Sequence, residues 1–183
     1  MARRPALSVS LYLGGRPALV VGDGPGADER ASRLREAGAA VRQVPASDYR
    51  TDMCGGVFLV AAHSGDRALD REIAGHARAA GALAYAHDQP DVSDLAFPAL
   101  VRRAPLSIAV ATSGAAPALA RRVREELERA LAAAGGALDR LMAELERERA
   151  AQPPGAARAE RLYRLACRLR LAGRFEVDPG EKT

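Results

Sequence analysis

The sequence predicts an α/β fold: a Rossmann-like parallel sheet with helices on both faces, followed by a helical part. Three observations carry that expectation. Over the first 112 residues short apolar runs alternate with helical patterns, the arrangement that builds parallel sheets. A glycine-rich turn, Gly22-Asp23-Gly24-Pro25-Gly26, stands between a continuous apolar run and a helical pattern. Beyond residue 115 the apolar spacing is helical only.

Taken in order, Leu7, Val9, Leu11 and Leu13 alternate with Ser8, Ser10 and Tyr12, a period of two that predicts a half-buried strand. After the turn Gly14-Gly15-Arg16-Pro17, the run Ala18-Leu19-Val20-Val21 has the unbroken apolar character of a buried parallel strand. Residues 26–37 put Ala27, Ala31 and Leu34 on one helical face. Short strands follow at 41–44 and 57–62, a helix at 66–80 with Leu69, Ile73 and Ala77 inward, and a strand at 83–87. Residues 107–111 are expected to close the strand series. Leu119, Val123, Leu127 and Leu131 then recur every four residues, and Leu138, Leu141, Met142 and Leu145 continue past Gly135-Gly136. Pro153-Pro154-Gly155 interrupts the pattern before a last helix with Leu162, Leu165 and Leu169, and the tail from Asp178 is expected to fray. The expected division is residues 1–112 for the dinucleotide-binding domain, 113–152 for dimerisation helices and 153–183 for a C-terminal helical segment.

Composition limits what such a chain can do. Its 183 residues suffice for one ordinary core plus a helical appendage. No stretch approaches the roughly 20 apolar residues that span a bilayer, so no membrane partner is expected. Of 27 basic residues 26 are Arg, balanced by 23 acids to a net +4. That describes a mixed-sign surface whose guanidinium forks suit carboxylates or phosphates. No basic run is interleaved with stacking aromatics, which argues against nucleic acid. Cys54 and Cys167 form no C-x-x-C pair and are expected to be free thiols of a reduced compartment. The start lacks the continuous apolar core of a secretory signal, so the chain reads as cytoplasmic.

The chemistry is expected at the strand ends. Gly22-x-Gly24-x-x-Ala27 directly follows a strand and opens a helix. Glycines there allow a tight turn and close approach of backbone to a pyrophosphate seated at the helix N-terminus. The second strand ends Val44-Pro45 without the acid that usually holds the ribose, leaving that task to backbone or to Ser47. NAD is then expected to be only modestly preferred over NADP. Around the same edge lie Gly26, Ala46, His63, Ser64, His87, Asp88 and, after residues 107–111, Thr112-Ser113-Gly114. Asp88 is the carboxylate at the end of a core strand, fit for a general base or for directing a metal, and equally for a turn before Pro90. His63, His87 and Asp88 could together hold a metal, although ordinary loop positions are the readier explanation of the two histidines.

With those residues in place, the chain resembles the precorrin-2 dehydrogenase/sirohydrochlorin ferrochelatase module at the N-terminus of siroheme synthase, from Leu7 to about Phe175. The opening LSVSLYLGGRPALVVGDG is similar to that family's alternating strand, turn and VLVVGGG. Arg35-Glu36-Ala37-Gly38-Ala39 resembles its LEAGA, Leu59-Val60-Ala61-Ala62-His63 its LVIAAT, and Tyr85-Ala86-His87-Asp88 with Phe97-Pro98 its NVVD…F-P. Most specific is the run from Val101 through Val110, followed by Pro117-Ala118-Leu119-Ala120-Arg121. The resemblance implies NAD-dependent oxidation of precorrin-2 to sirohydrochlorin, with insertion of Fe2+ as a second activity, in a homodimer. It implies Asp88 as the catalytic base and transient metal guide, and His87 beside it is a weaker metal candidate by position. Its cofactor contacts fall on Pro25, Gly26, Ala46 and Ser47, joining Gly22 and Gly24 of the glycine motif and His63 at the end of the third strand as candidates for the cofactor. For the tetrapyrrole it implies Thr112, with Ser113 and Gly114 of the same loop as further candidates, and Arg102, Arg103 and Arg121 are candidates for pairing with its carboxylates.

This chain also departs from the pattern. The usual triple glycine carries Asp23 at its centre, the usual Thr-Asp after the third strand is His63-Ser64, and the usual GGKSP or GGTSP is Ser113-Gly114-Ala115-Ala116-Pro117. About a dozen residues are missing between the second and third strands. A catalytically silent homodimer that binds a tetrapyrrole or a nucleotide is therefore the alternative reading.

Overall fold

A computed structural model of the protein describes residues 6–172. The chain forms two compact units, Met1–Phe97 and Pro98–Thr183.

In the first unit, β1 (Pro17–Val21), β2 (Ala40–Val44), β3 (Leu59–Ala62) and β4 (Leu83–Ala86) form one parallel sheet ordered β2-β1-β3-β4. The strands are short and nearly all apolar because both faces are covered. Ala18, Val20, Leu59 and Ala61 pack against Ala27, Ala31 and Leu34 of α1 (Pro25–Glu36). Leu19, Val21, Val60 and Ala62 face the other way, onto Ile73, Ala74 and Ala77 of α2 (Arg67–Ala79). The chain runs outward from β1 to β2 and then returns to β3. The strand order therefore reverses between β1 and β3, the place where open α/β sheets bind ligands.

The two helices begin differently. The carboxylate of Asp66 accepts from the amides of Ala68 and Leu69, which caps α2. No side chain caps α1: Gly24 precedes Pro25 with φ 133°, so the first amides of that helix keep no protein partner from a capping group. Between β2 and β3 the chain makes two 3₁₀ turns, Ala46–Asp48 and Thr51–Cys54.

Two expected strands are corrected. Residues 7–13 form none: Leu7, Val9 and Tyr12 are exposed, and Leu13 alone is buried. Alternation makes a strand only where a sheet edge accepts it, and among the described residues no ladder pairs this segment. Residues 107–111 do form a strand, β6 (Leu106–Val110), but it lies outside the parallel sheet. It pairs antiparallel with β5 (Ala99–Arg103), which the sequence pattern did not reveal because Arg102 and Arg103 end its apolar run.

In the second unit the β5–β6 hairpin is followed by α3 (Pro117–Ala133), α4 (Gly135–Ala151) and α5 (Ala156–Ala166). Arg103 ties this unit together. Its guanidinium donates to both carboxylate oxygens of Asp139 (3.0 and 2.8 Å) and to the carbonyls of Leu131 and Gly135 (both 2.8 Å). Residues from Asp178, expected to fray, lie outside the described residues.

Candidate active site

Strand register builds the site. Val21 pairs with both Val44 and Ala62, and Ala62 pairs with Ala86. The ladder runs one residue further: Gly22 N donates to Val44 O, His63 N to Val21 O and His87 N to Ala62 O. Gly22, His63 and His87 thus stand in one row at the carboxyl edge of the sheet. Alternation turns both imidazoles to the α1 face, where they stack at 3.8 Å between centroids and 12° between planes.

The glycines of the turn have separate reasons. A Cβ on Gly22 would overlap the carbonyl of His63, so only glycine lets β1 and β3 close at this point. A Cβ on Gly26 would overlap the His63 ring itself. Gly24 faces open space, and its φ of 133° is one that L side chains rarely adopt. A bare backbone with space beside it, at an uncapped helix start, fits a pyrophosphate group. Asp23 stands exposed between these glycines.

His63 lies half-buried, with an Nδ1 that has no hydrogen-bond partner. Burial, then the neighbouring His87 and Arg30, hold its pKa below the ordinary histidine value. Sequence reading missed Arg30. This α1 residue is 9% exposed, and its guanidinium lies over the rings of Phe97 (4.1 Å) and Tyr85 (4.9 Å). One Nη donates to the Tyr85 hydroxyl at 3.3 Å, while Nε and the other Nη are buried without partners. Desolvation lowers the Arg30 pKa and raises that of Tyr85. Tyr85 also reaches His87 Nδ1 at 3.3 Å. Only the contacts identify Arg30, because on the helix its spacing looks like one more exposed arginine.

Asp88 follows the histidine row. Its φ of 51° is left-handed, a conformation that costs a non-glycine residue energy and clusters at functional sites. The side chain is largely exposed and meets Arg67 twice: Nη1 lies 3.5 Å from the carboxylate and donates to the Asp88 carbonyl at 3.3 Å. Beneath it the buried Gln89 donates to the carbonyl of Arg67 at 2.9 Å, and Ser93 holds the backbone of Ala86 and Gln89. Asp88 is therefore a presented carboxylate on a fastened turn. His63, His87 and Asp88 form no metal-binding group, and no other such cluster occurs among the described residues.

Ala46 and Ser47 lie in the first 3₁₀ turn after β2, with the Ser47 hydroxyl turned to Asp48 at 2.9 Å. In the second unit the Thr112 hydroxyl accepts from Ala116 N at 3.2 Å, and Ser113 and Gly114 are exposed with φ of 51° and 76°. Arg121 pairs with Glu125 at 3.0 Å, Arg102 is exposed on β5, and Arg103 is occupied by the clamp described above.

A family described as putative NAD(P)-binding matches residues 9–99, and one described as sirohaem biosynthesis protein, central, matches residues 103–130. The siroheme synthase of Methylococcus capsulatus is 34% identical over 93% of this chain. That of Neisseria meningitidis serogroup C is 37% identical over 63% of it. The chain belongs to the family of the siroheme synthase N-terminal module. It spans 41% and 28% of the length of those two relatives. A solved structure titled SirC, precorrin-2 dehydrogenase, has the same fold: TM-score 0.63 at 20% identity, over 87% of this chain and 89% of that one.

Proposed function

We propose that this protein oxidises precorrin-2 to sirohydrochlorin with NAD, and that insertion of Fe2+ into the product is a second activity. The observation that carries the proposal is one sheet edge bearing both a bare glycine turn at an uncapped helix start and a presented carboxylate, Asp88. Gly22, Gly24, Pro25 and Gly26 would hold the cofactor's pyrophosphate, and Ala46 and Ser47 its adenosine side. When bound, NAD supplies the acceptor for the hydride that leaves the macrocycle. Asp88 takes the accompanying proton on its carboxylate, and Arg67 aims that carboxylate. Metal insertion needs two pyrrole protons removed, a task for the same carboxylate. From the family likeness, Thr112, Ser113, Gly114, Arg102 and Arg121 are proposed for the substrate's periphery, whereas Arg103 is not.

A spectral assay with precorrin-2 and NAD tests the reading. The expected outcome is conversion to sirohydrochlorin, and no conversion with retained tetrapyrrole binding would favour the silent binder. That alternative draws on the His63 ring beside Gly26 and on the charge of Asp23.

A homodimer is part of the proposal. Val123, Leu127 and Leu131 are only half-buried and Leu119 is 56% exposed, which leaves an apolar helix face uncovered. Sedimentation should find a dimer, and a monomer at tens of micromolar would contradict it.

A further inference from the structure

The cofactor cradle lacks an acid at the end of β2, yet it does not lack an acid. Gln43, on β2, turns its side chain to the α1 face beside its register partner Val20. Its amide nitrogen donates to the carbonyl of Gly22 at 3.2 Å and to Asp28 Oδ1 at 2.8 Å. Both partners are acceptors, so the amide orientation is fixed by its bonds. Asp28 is exposed in the first turn of α1. The bridge therefore draws a helix carboxylate towards the first glycine of the turn and the end of β2. In dinucleotide-binding sheets that region receives the adenosine ribose, whose diol an acidic residue binds.

We infer that Asp28, tethered by Gln43, is the ribose-binding acid of this site and makes it selective for NAD against NADP. The inference rests on the cofactor reading above. A carboxylate accepts two hydroxyl protons from a ribose diol, whereas a 2′-phosphate in the same place offers no donor and repels it. Arg42, next to Gln43 on β2, does not compensate, because its register partner Leu19 places it on the opposite face. This replaces the expectation of a modest preference drawn from the strand alone.

Calorimetric titration of the full chain with NAD and NADP tests the assignment. The unmodified protein should bind NAD at least about tenfold more tightly, the scale of one hydrogen bond to a charged group. Asp28→Asn keeps an acceptor for Gln43 and so preserves the fold, to be verified by an unchanged melting curve. It should remove most of that preference by weakening NAD and strengthening NADP. Gln43→Ala, which releases the carboxylate, should fall between the two. Glu29→Gln, on the same helix but paired with Arg33 at 3.2 Å, should leave the ratio unchanged. Equal affinity for the two cofactors in the unmodified protein would overturn the inference while leaving the cofactor reading intact. So would an unchanged ratio in Asp28→Asn, or an effect of Glu29→Gln or Asp23→Asn as large as that of Asp28→Asn. Absence of binding to either cofactor would overturn both readings.

Discussion

The two units of this chain are stabilised by different physics. In the first, β3 and β1 beyond Pro17 are enclosed: Val20, Val21, Ala61 and Ala62 are fully buried between α1 and α2. In the second, the buried apolar residues are few, among them Val101, Ala120, Leu138 and Leu141, and its helices carry ladders of ion pairs. On α3 alone, Arg121, Arg122 and Arg124 pair with Glu125, Glu126 and Glu128. Exposed pairs of that kind are worth roughly 0–1 kcal/mol each. The first unit can therefore hold side chains in fixed register for chemistry, while the second has an apolar face still to cover.

That contrast is sharpest in catalysis. Asp88→Ala should lower turnover by about 10²–10⁴-fold, the range of a lost general base, while leaving NAD affinity and the melting curve nearly unchanged. Normal turnover of precorrin-2 by the variant would end the assignment.

Core truncation comes next in size. Ile73→Ala removes a fully buried side chain from the α2 face of the sheet and should cost about 2–5 kcal/mol by urea unfolding. Leu119→Ala, on a position 56% exposed in the second unit, should change monomer stability by less than about 0.5 kcal/mol. Similar losses at the two positions would erase the distinction.

Arg103 is the exception that defines the rule for the second unit. Arg103→Met keeps the aliphatic stem but abandons the carbonyls of Leu131 and Gly135 and the carboxylate of Asp139. It should lower the urea midpoint clearly more than Arg122→Ala on the surface of α3, whose exposed ion pairs contribute little. Equal effects in unfolding experiments would mean that the clamp carries no special weight.

How much of this could be read beforehand follows from the same contrast. Continuous apolar runs announce doubly covered strands, so β1 and β3 were legible, as were the glycine turn and the placement of Asp88 just beyond β4. The alternation at residues 7–13 was misleading, because a pattern records what a segment could pair with and not whether a partner is there. Residues 107–111 read correctly as a strand but not as part of a hairpin, since antiparallel pairing depends on β5, whose end is charged. Arg30 was invisible because only tertiary packing places a helix arginine under Tyr85 and Phe97. Asp28 was likewise hidden: its role depends on Gln43, 15 positions away and on a different element.

The smallest effect separates the units by pH. All three histidines lie in the first unit, and burial, His87 and Arg30 depress the pKa of His63 below its ordinary 6.5. In the folded state His63 resists a proton that the unfolded chain accepts. Its contribution is therefore complete above about pH 6.5 and is lost as pH falls below that value towards the folded pKa. The second unit behaves otherwise. Its shifted carboxylates, Glu125 and Asp139, are held low by Arg121 and Arg103, so their contribution persists until pH falls through the carboxylate range. Urea midpoints at about pH 7.5 and 5.5 should drop more for the unmodified protein than for His63→Gln. His87→Gln, which removes one of the neighbours that depress His63, should give an intermediate drop. Identical slopes in all three proteins would show that the stacked pair does not couple protonation to folding.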